Sequence, residues 1–389
     1  MNPSEMRRGQ ESFRICIDSP TRANPVSSPI FYINGWIAGE TIERPILRST
    51  DGKYVRELHC VPRPDVVPHV EYPCVVGFSG LLSILQLQQH DGWELRFQSS
   101  GGEASHEIQL SCPAGLLEDF WAVKRNKLAN LINLLKCPTC SSYPLERGED
   151  SVHCPKCKRR YAIDDLWYHF VPSEPGTDGM ENCGSCYDGA ALEILNDQRN
   201  AHVLDSGCGS RLGYHWNSYN LDISPAPTVD VIGSCSELPF RDQVFDAVLS
   251  NSVLEHIDDP FLAAREMVRV VKPGGLIYVT APLLAPFHGV PNHFFNMTQE
   301  GLSKLFSGTC SVEERGVFRF GRPIWALTWF LRSYSAGLPK DTAEDFGNMR
   351  IKDFLGIAEE HVEKPYVSRL SEAAEAELAC ANYILVRKR

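Results

Sequence analysis

The chain has no run of about 18 apolar residues, the length a helix needs to cross a bilayer, so no membrane span is expected. It also lacks a basic balance. Lys and Arg total 38 against 49 Asp and Glu, a formal net charge of −11. That disfavours a large sequence-independent affinity for nucleic acid, which needs clustered cations to neutralise phosphates. Arg7 and Arg8 are not followed by the apolar stretch of a secretory leader. A soluble, cytoplasmic protein is the expectation. Cysteine is not dense enough for a disulfide scaffold, with 14 in 389 residues, and four of them fall into paired Cys-x-x-Cys spacing. With 43% hydrophobic residues the chain can bury more than one core, and its length suggests two or three domains.

Residues 1–25 are polar and aperiodic, and read as a flexible arm. Over 26–112 the pattern turns to short β-type runs, IFYINGWIAG, CVVGFSG, WELRFQSS and HEIQLSC. Turn signals at Asp51-Gly52, Asp91-Gly92 and Gly101-Gly102 separate them. The expectation is an antiparallel, all-β, Ig-like sandwich with Trp36 and Trp93 in its core. A connecting helix follows over 113–136, opened by Pro113 and striped by Leu117, Phe120, Val123, Leu128, Leu131 and Leu135.

Over 137–172 stand two knuckles, Cys137-x-x-Cys140 and Cys154-x-x-Cys157. The segment between them is long enough for a hairpin that brings four thiolates into tetrahedral reach of Zn²⁺. A closed four-thiolate site is structural, so the metal is expected to fold the segment and not to do chemistry. With its continuation Tyr161-Ala162-Ile163-Asp164, the stretch resembles zinc ribbons of the small methyltransferase-activator type. Cys183 and Cys186 have no second knuckle and are expected to coordinate nothing.

From His202 to Pro282 the text is HVLDSGCGS, YNLDIS, VDVIGSCSELPF, VFDAVLSNSVLEHIDDP and KPGGLIYVTAP. Each apolar run ends in Gly, Asp, Asn or Ser, as buried parallel strands do where their carboxyl ends open onto a site. Gly207 and Gly209 let the backbone turn sharply and approach a ligand. Asp222 at the end of the next strand suits a ribose diol. Asp258 or Asp259 caps a helix that takes Pro260 in its first turn.

These motifs resemble class I S-adenosylmethionine-dependent methyltransferases, particularly those of the methyltransferase domain 11 type. The resemblance implies an α/β, Rossmann-like domain with a mostly parallel sheet over 180–389, with a helical cap inserted at about 319–377 and a last strand ANYILVRKR. It places Asp205, Gly207 and Gly209 at the methionine end of S-adenosyl-L-methionine, Asp222 at the ribose and Asn251 in the methionine pocket. Three positions depart from the pattern. Arg211 replaces the third glycine, which redirects the turn. Ser210 to Asn220 is too short for the usual helix, since an average helix takes about 11 residues. Ser234-Cys235 stands where an acid usually meets the adenine, so Cys235 or backbone groups must serve. Similar truncations occur in relatives associated with bacterial surface-polysaccharide gene clusters.

After the fifth strand, APLLAPFHGVPNHFFNMTQ leaves the carboxyl edge of the sheet, where an acceptor must meet the methyl group. His288, His293 and His256 are the candidate catalytic residues, with His288 first, because a near-neutral histidine suits removal of a hydroxyl proton. The expected activity is O-methylation of a sugar or of a polysaccharide or lipid-linked intermediate. Ribosomal RNA methylation and a non-catalytic interaction protein are the alternatives. The β-sandwich and the cap, with Trp325 and Trp329 on one helical face, are candidate surfaces for a protein partner or an oligomer.

Overall fold

The computed structural model describes residues 13–21, 24–110, 112–113, 115–171, 186–289, 292–355 and 357–381. Its first half is antiparallel. The strands are β1 (Phe13–Ser19), β2 (Ile30–Gly39), β3 (Ile42–Ser49), β4 (Val55–Glu57), β5 (His59–Val61), β6 (Cys74–Ser83), β7 (Trp93–Ser99) and β8 (Gly102–Ile108). Helix α1 (Ile84–Gln89) follows β6 and is capped by Ser83 and Gln86 in a reciprocal box. One sheet has the order β1-β2-β6-β5 and the other β4-β3-β7-β8. Alternation drives the pairing: Ile33 and Ile37 of the first sheet share a buried cluster with Leu47, Leu95 and Phe97 of the second. Trp36 and Trp93 are both buried. Residues 13–19 are a correction to the flexible arm. Phe13, Ile15 and Ile17 alternate toward that cluster, and β1 pairs with β2 from Phe13 opposite Gly39.

Helix α2 (Leu116–Leu131) joins two cores. Phe120 belongs to the cluster between the antiparallel sheets, while Leu128 and Leu131 belong to a second, larger cluster. Three short strands, β9 (Glu146–Arg147), β10 (Ser151–His153) and β11 (Arg160–Ala162), form the small sheet of the knuckle segment. The next strand, β12 (Tyr168–His169), leaves that sheet and pairs in parallel with a strand more than sixty residues further on.

That strand belongs to a six-stranded sheet of order β12-β15-β14-β13-β16-β17. Its members are β13 (Val203–Ser206), β14 (Ser218–Asp222), β15 (Val231–Ile232), β16 (Phe245–Asn251) and β17 (Val271–Thr280), and every pairing is parallel. The interior strands are buried on both faces, which is why they read as continuous apolar runs. Together with the helices this is a Rossmann-like fold with a parallel sheet. Helix α3 (Gly189–Asn196) leads into β13, capped by Asp188. Helix α4 (Pro260–Val270) follows β16, with Asp259 accepting from the Leu262 amide at 2.9 Å. No helix separates β13 from β14, as the short spacing requires.

Helix α5 (Gln299–Leu305) and the cap helices α6 (Pro323–Ala336), α7 (Lys340–Gly347), α8 (Pro365–Ser368) and α9 (Glu372–Leu378) complete the described chain. Among the described residues no helix is long and apolar enough to cross a membrane. Cys183 and the expected last strand from Asn382 onward lie outside them, and Cys186 is an exposed thiol.

Candidate functional site

The site lies at the carboxyl ends of β13, β14 and β16. Gly207 and Gly209 follow β13 with φ of +77° and +58°, backbone that side chains rarely adopt. A Cβ on Gly207 would come within 2.5 Å of Val253, which packs over the turn, whereas a Cβ on Gly209 would meet nothing within 4 Å. One glycine therefore serves close packing, and the other leaves its backbone open to a ligand. Between them Cys208 is buried against Ile30 and Leu81 of the antiparallel sheets, so that region buttresses the turn from behind.

Asp222 holds the turn and remains usable. Its Oδ2 accepts from the Gly209 amide at 2.7 Å and its Oδ1 from the Ser224 amide at 2.9 Å. Each oxygen keeps a lone pair. Burial raises this carboxyl, and the Ser224 and Gly209 amides pull it back down. Nearby, Ser206 Oγ and Asn251 Oδ1 are buried without a hydrogen-bond partner among the described residues, at the ends of two strands that pair with each other. Orphaned polar atoms beside an open glycine backbone fit an adenosyl-type ligand with hydroxyl and amino groups. Ser234 Oγ accepts from the Ser236 amide at 3.1 Å, and burial pushes the Cys235 thiol up to about 12, so Cys235 is a neutral lining group.

Asp205 is placed differently from a ligand-facing acid. It is fully buried and its oxygens are occupied: Oδ2 accepts from Tyr187 Oη at 2.7 Å and from Arg211 Nε at 2.7 Å, and Oδ1 accepts from Arg211 Nη2 at 3.0 Å. The Arg211 guanidinium also lies 4.5 Å from the centre of the Tyr187 ring. The residue at the missing glycine thus folds back and fixes the strand end.

A second buried charge cluster pins α2 to the sheet, and sequence reasoning missed it. Asp230, just before β15, has Lys124 Nζ at 3.1 Å and Lys127 Nζ at 2.7 Å, all three side chains buried. Tyr214 also donates to Asp230. Burial holds the Lys127 ammonium down to about 8 against the pull of Asp230.

In the knuckle segment, one sulfur from each of Cys137, Cys140, Cys154 and Cys157 lies within 4.8 Å of the others. Each knuckle closes with a left-handed residue just after its second cysteine, Ser141 at φ +57° and Lys158 at φ +63°. The Ser141 amide donates to the Cys137 carbonyl and the Lys158 amide to the Cys154 carbonyl. Four converging thiols suit zinc at a tetrahedral site.

The three candidate histidines come together across the acceptor edge. The rings of His256 and His288 are 5.1 Å apart and those of His288 and His293 are 4.2 Å apart. Trp329 of α6 lies 5.2 Å from His288, so the cap walls this cluster, while its indole donates to Glu377 at 3.1 Å. Glu255, which the sequence did not single out, is buried beneath them, and burial pushes its carboxyl up to about 7. Burial disfavours the charged form of His288.

Residues 204–279 match the model of a methyltransferase domain, and residues 129–165 match that of the Trm112p-like proteins. Uncharacterized methyltransferases of Mycobacterium sp. strains JLS and KMS are 45% and 43% identical over 135 residues, 33% of this chain and 48% of theirs. The chain spans about half the length of these curated relatives. Among solved structures, the YcgJ protein from Bacillus subtilis is 20% identical over 30% of this chain and 64% of its own, with a TM-score of 0.24. The family match over residues 204–279 and the curated relatives show that the chain carries a methyltransferase domain. Ahead of it lies the Trm112p-like stretch, and β12, just past that match, joins the six-stranded sheet.

Proposed function

We propose that the protein transfers the methyl group of S-adenosylmethionine to a hydroxyl of a sugar, or of a polysaccharide or lipid-linked intermediate. The observation that carries this reading is one edge of one sheet holding both an open glycine turn with Asp222 and a walled histidine cluster. S-adenosylmethionine supplies an electrophilic methyl on a sulfonium. Gly209 and Asp222 hold the ribose side, Asn251 and Ser206 face the polar end, and Ser234 and Cys235 line the adenine side. Asp205 positions this frame through Arg211. His256, His288 and His293 orient the acceptor and manage its proton, and Trp329 covers one side of it.

The zinc reading of the four thiols is part of the proposal, as are the domain limits and a soluble, cytoplasmic setting. So is the Ig-like reading of the first half. Its strand orders, β1-β2-β6-β5 facing β4-β3-β7-β8, correspond to the A-B-E-D and C-F-G sheets of such sandwiches with one added edge strand. The buttress behind Cys208 gives that region a role inside this chain. One observation favours a non-catalytic protein instead: Arg211 takes up the carboxylate of Asp205. The deciding experiment is methyl transfer from labelled S-adenosylmethionine to a panel of sugar hydroxyl acceptors. The combined His256→Ala, His288→Ala and His293→Ala variant should lose transfer while still binding S-adenosylhomocysteine. Transfer that persists unchanged in it contradicts the role given to the histidines.

A further inference from the structure

We propose that Glu255, His256 and His288 form a binding site for a divalent first-row transition metal at the acceptor edge, separate from the four-cysteine cluster. One ligand atom from each of the three residues lies within 4.8 Å of the other two, and His256 Nε2 is 3.9 Å from Glu255 Oε1. Ligands around a metal bonded at about 2.0–2.2 Å stand about 3–3.5 Å apart, so a small contraction closes the site.

The hydrogen bonds decide which lone pairs are offered. His256 donates from Nδ1 to the Asn292 carbonyl, and His288 donates from Nδ1 to the Pro286 carbonyl at 2.8 Å. A ring that gives its Nδ1 proton to a backbone carbonyl presents the Nε2 lone pair, the tautomer and outer contact that metal-binding histidines use. Independently, Glu255 is 1% exposed and its Oε2 has no hydrogen-bond partner among the described residues. The same carboxylate offers Oε1 to His256, and its buried orphan oxygen needs a cation or a proton.

His293 plays another part. Its Nδ1 accepts from the His288 amide at 3.3 Å, and its Nε2 donates to Asn296 Oδ1 at 3.1 Å. Both nitrogens are taken, so His293 positions His288 and does not ligate. Two imidazoles and one carboxylate favour Zn²⁺, Co²⁺, Fe²⁺ or Mn²⁺ over Mg²⁺ or Ca²⁺, which prefer all-oxygen sites, and three protein ligands leave positions open for an acceptor.

The chemical consequence rests on the methyl-transfer reading. An acceptor hydroxyl bound at the cation is acidified and releases its proton to solvent. Its oxygen then forms the bond to the methyl carbon, while the C–S bond breaks with its electron pair left on sulfur. In that state His256 and His288 serve as ligands instead of as bases.

The test uses the full-length protein purified without chelator and dialysed against Co²⁺, with total metal measured by elemental analysis and the visible spectrum recorded. The wild type should hold two metal equivalents. One sits at the thiols, and the other shows the weak bands of cobalt in a nitrogen and oxygen site without thiolate charge transfer. Glu255→Gln, and separately His256→Ala with His288→Ala, should retain one equivalent with an unchanged circular dichroism spectrum. His293→Ala should keep the second equivalent but bind Co²⁺ about 10–100-fold more weakly, as loss of an outer contact does. A single equivalent at the thiols of the wild type overturns the site, as does a second one that survives both ligand variants. S-adenosylhomocysteine binding measured on the same samples separates the two readings. If it binds and no second metal does, this inference alone falls; if the second metal binds and it does not, methyl transfer falls and the metal site stands.

Discussion

Both the four thiols of the knuckle segment and the Glu255, His256 and His288 group bring their ligand atoms within 4.8 Å, yet they are held together in different ways. The thiols sit on two tight turns from nearby chain, around strands of two or three residues with little core of their own. Leu145, Val152, Tyr161 and Ile163 pack into the larger core cluster, and a metal at the thiols would add the rest of what ordering so small a sheet requires. The second group is held by backbone carbonyls and by the frame of a six-stranded sheet, so its lone pairs are oriented before any ion arrives. The lesson is that a metal which folds a segment and a metal which serves chemistry call for opposite scaffolds: one local and dependent, the other assembled from distant parts and rigid.

The largest effect that would sharpen this contrast is on stability. Structural zinc supplies roughly 10–16 kcal/mol of folding free energy in isolated modules. Cys154→Ser, or a strong chelator, should therefore unfold the knuckle segment and release β12 from the sheet edge, seen as lost amide protection at Tyr168 to Phe170. Retained protection there would erase the distinction. Next in size is Asp230→Ala, which strands two buried ammonium groups and should cost about 3–5 kcal/mol in denaturant titration.

A smaller effect concerns pH. The folded pKa of Lys127 is lowered to about 8, below that of an unfolded lysine. Between pH 8 and the ordinary lysine range the unfolded chain therefore holds a proton that the folded chain has lost, and stability rises with pH across that window. Lys127→Met should flatten the rise, and an unchanged slope would remove Lys127 as its source. In metal-free protein Glu255→Gln should have the smallest effect on stability, leaving the melting curve where it was, because the amide matches the neutral acid that burial favours. A large loss of stability would make Glu255 a structural residue.

How much of this was legible in the sequence follows from the same contrast. The knuckles, the glycine turn, Asp222 and the Asp259 cap are set by spacing within a few residues, so their patterns could be read directly. Lys124 and Lys127 could not, because a lysine on an amphipathic helix ordinarily faces water. Their burial depends on Asp230 and Tyr214, which the sheet brings in from roughly ninety to a hundred residues further along the chain. Strand β12 is two residues long, too short for any periodic signal, and it exists because β15 offers an edge. Arg211 was legible as a missing glycine but not as the partner of Asp205, since the direction of a long side chain is settled by what is buried beside it. Glu255 looked like one more polar residue after a strand. Only the return of the loop carrying His288 and His293 shows what it faces.

Calorimetric titration with S-adenosylhomocysteine, on the wild type and on Asp222→Ala, tests whether this edge of the sheet binds the adenosyl cofactor. Micromolar binding, about −8 kcal/mol, is expected in the wild type, and its loss in the variant with the fold intact. No binding to folded wild-type protein, or equal binding by both, would contradict cofactor binding there.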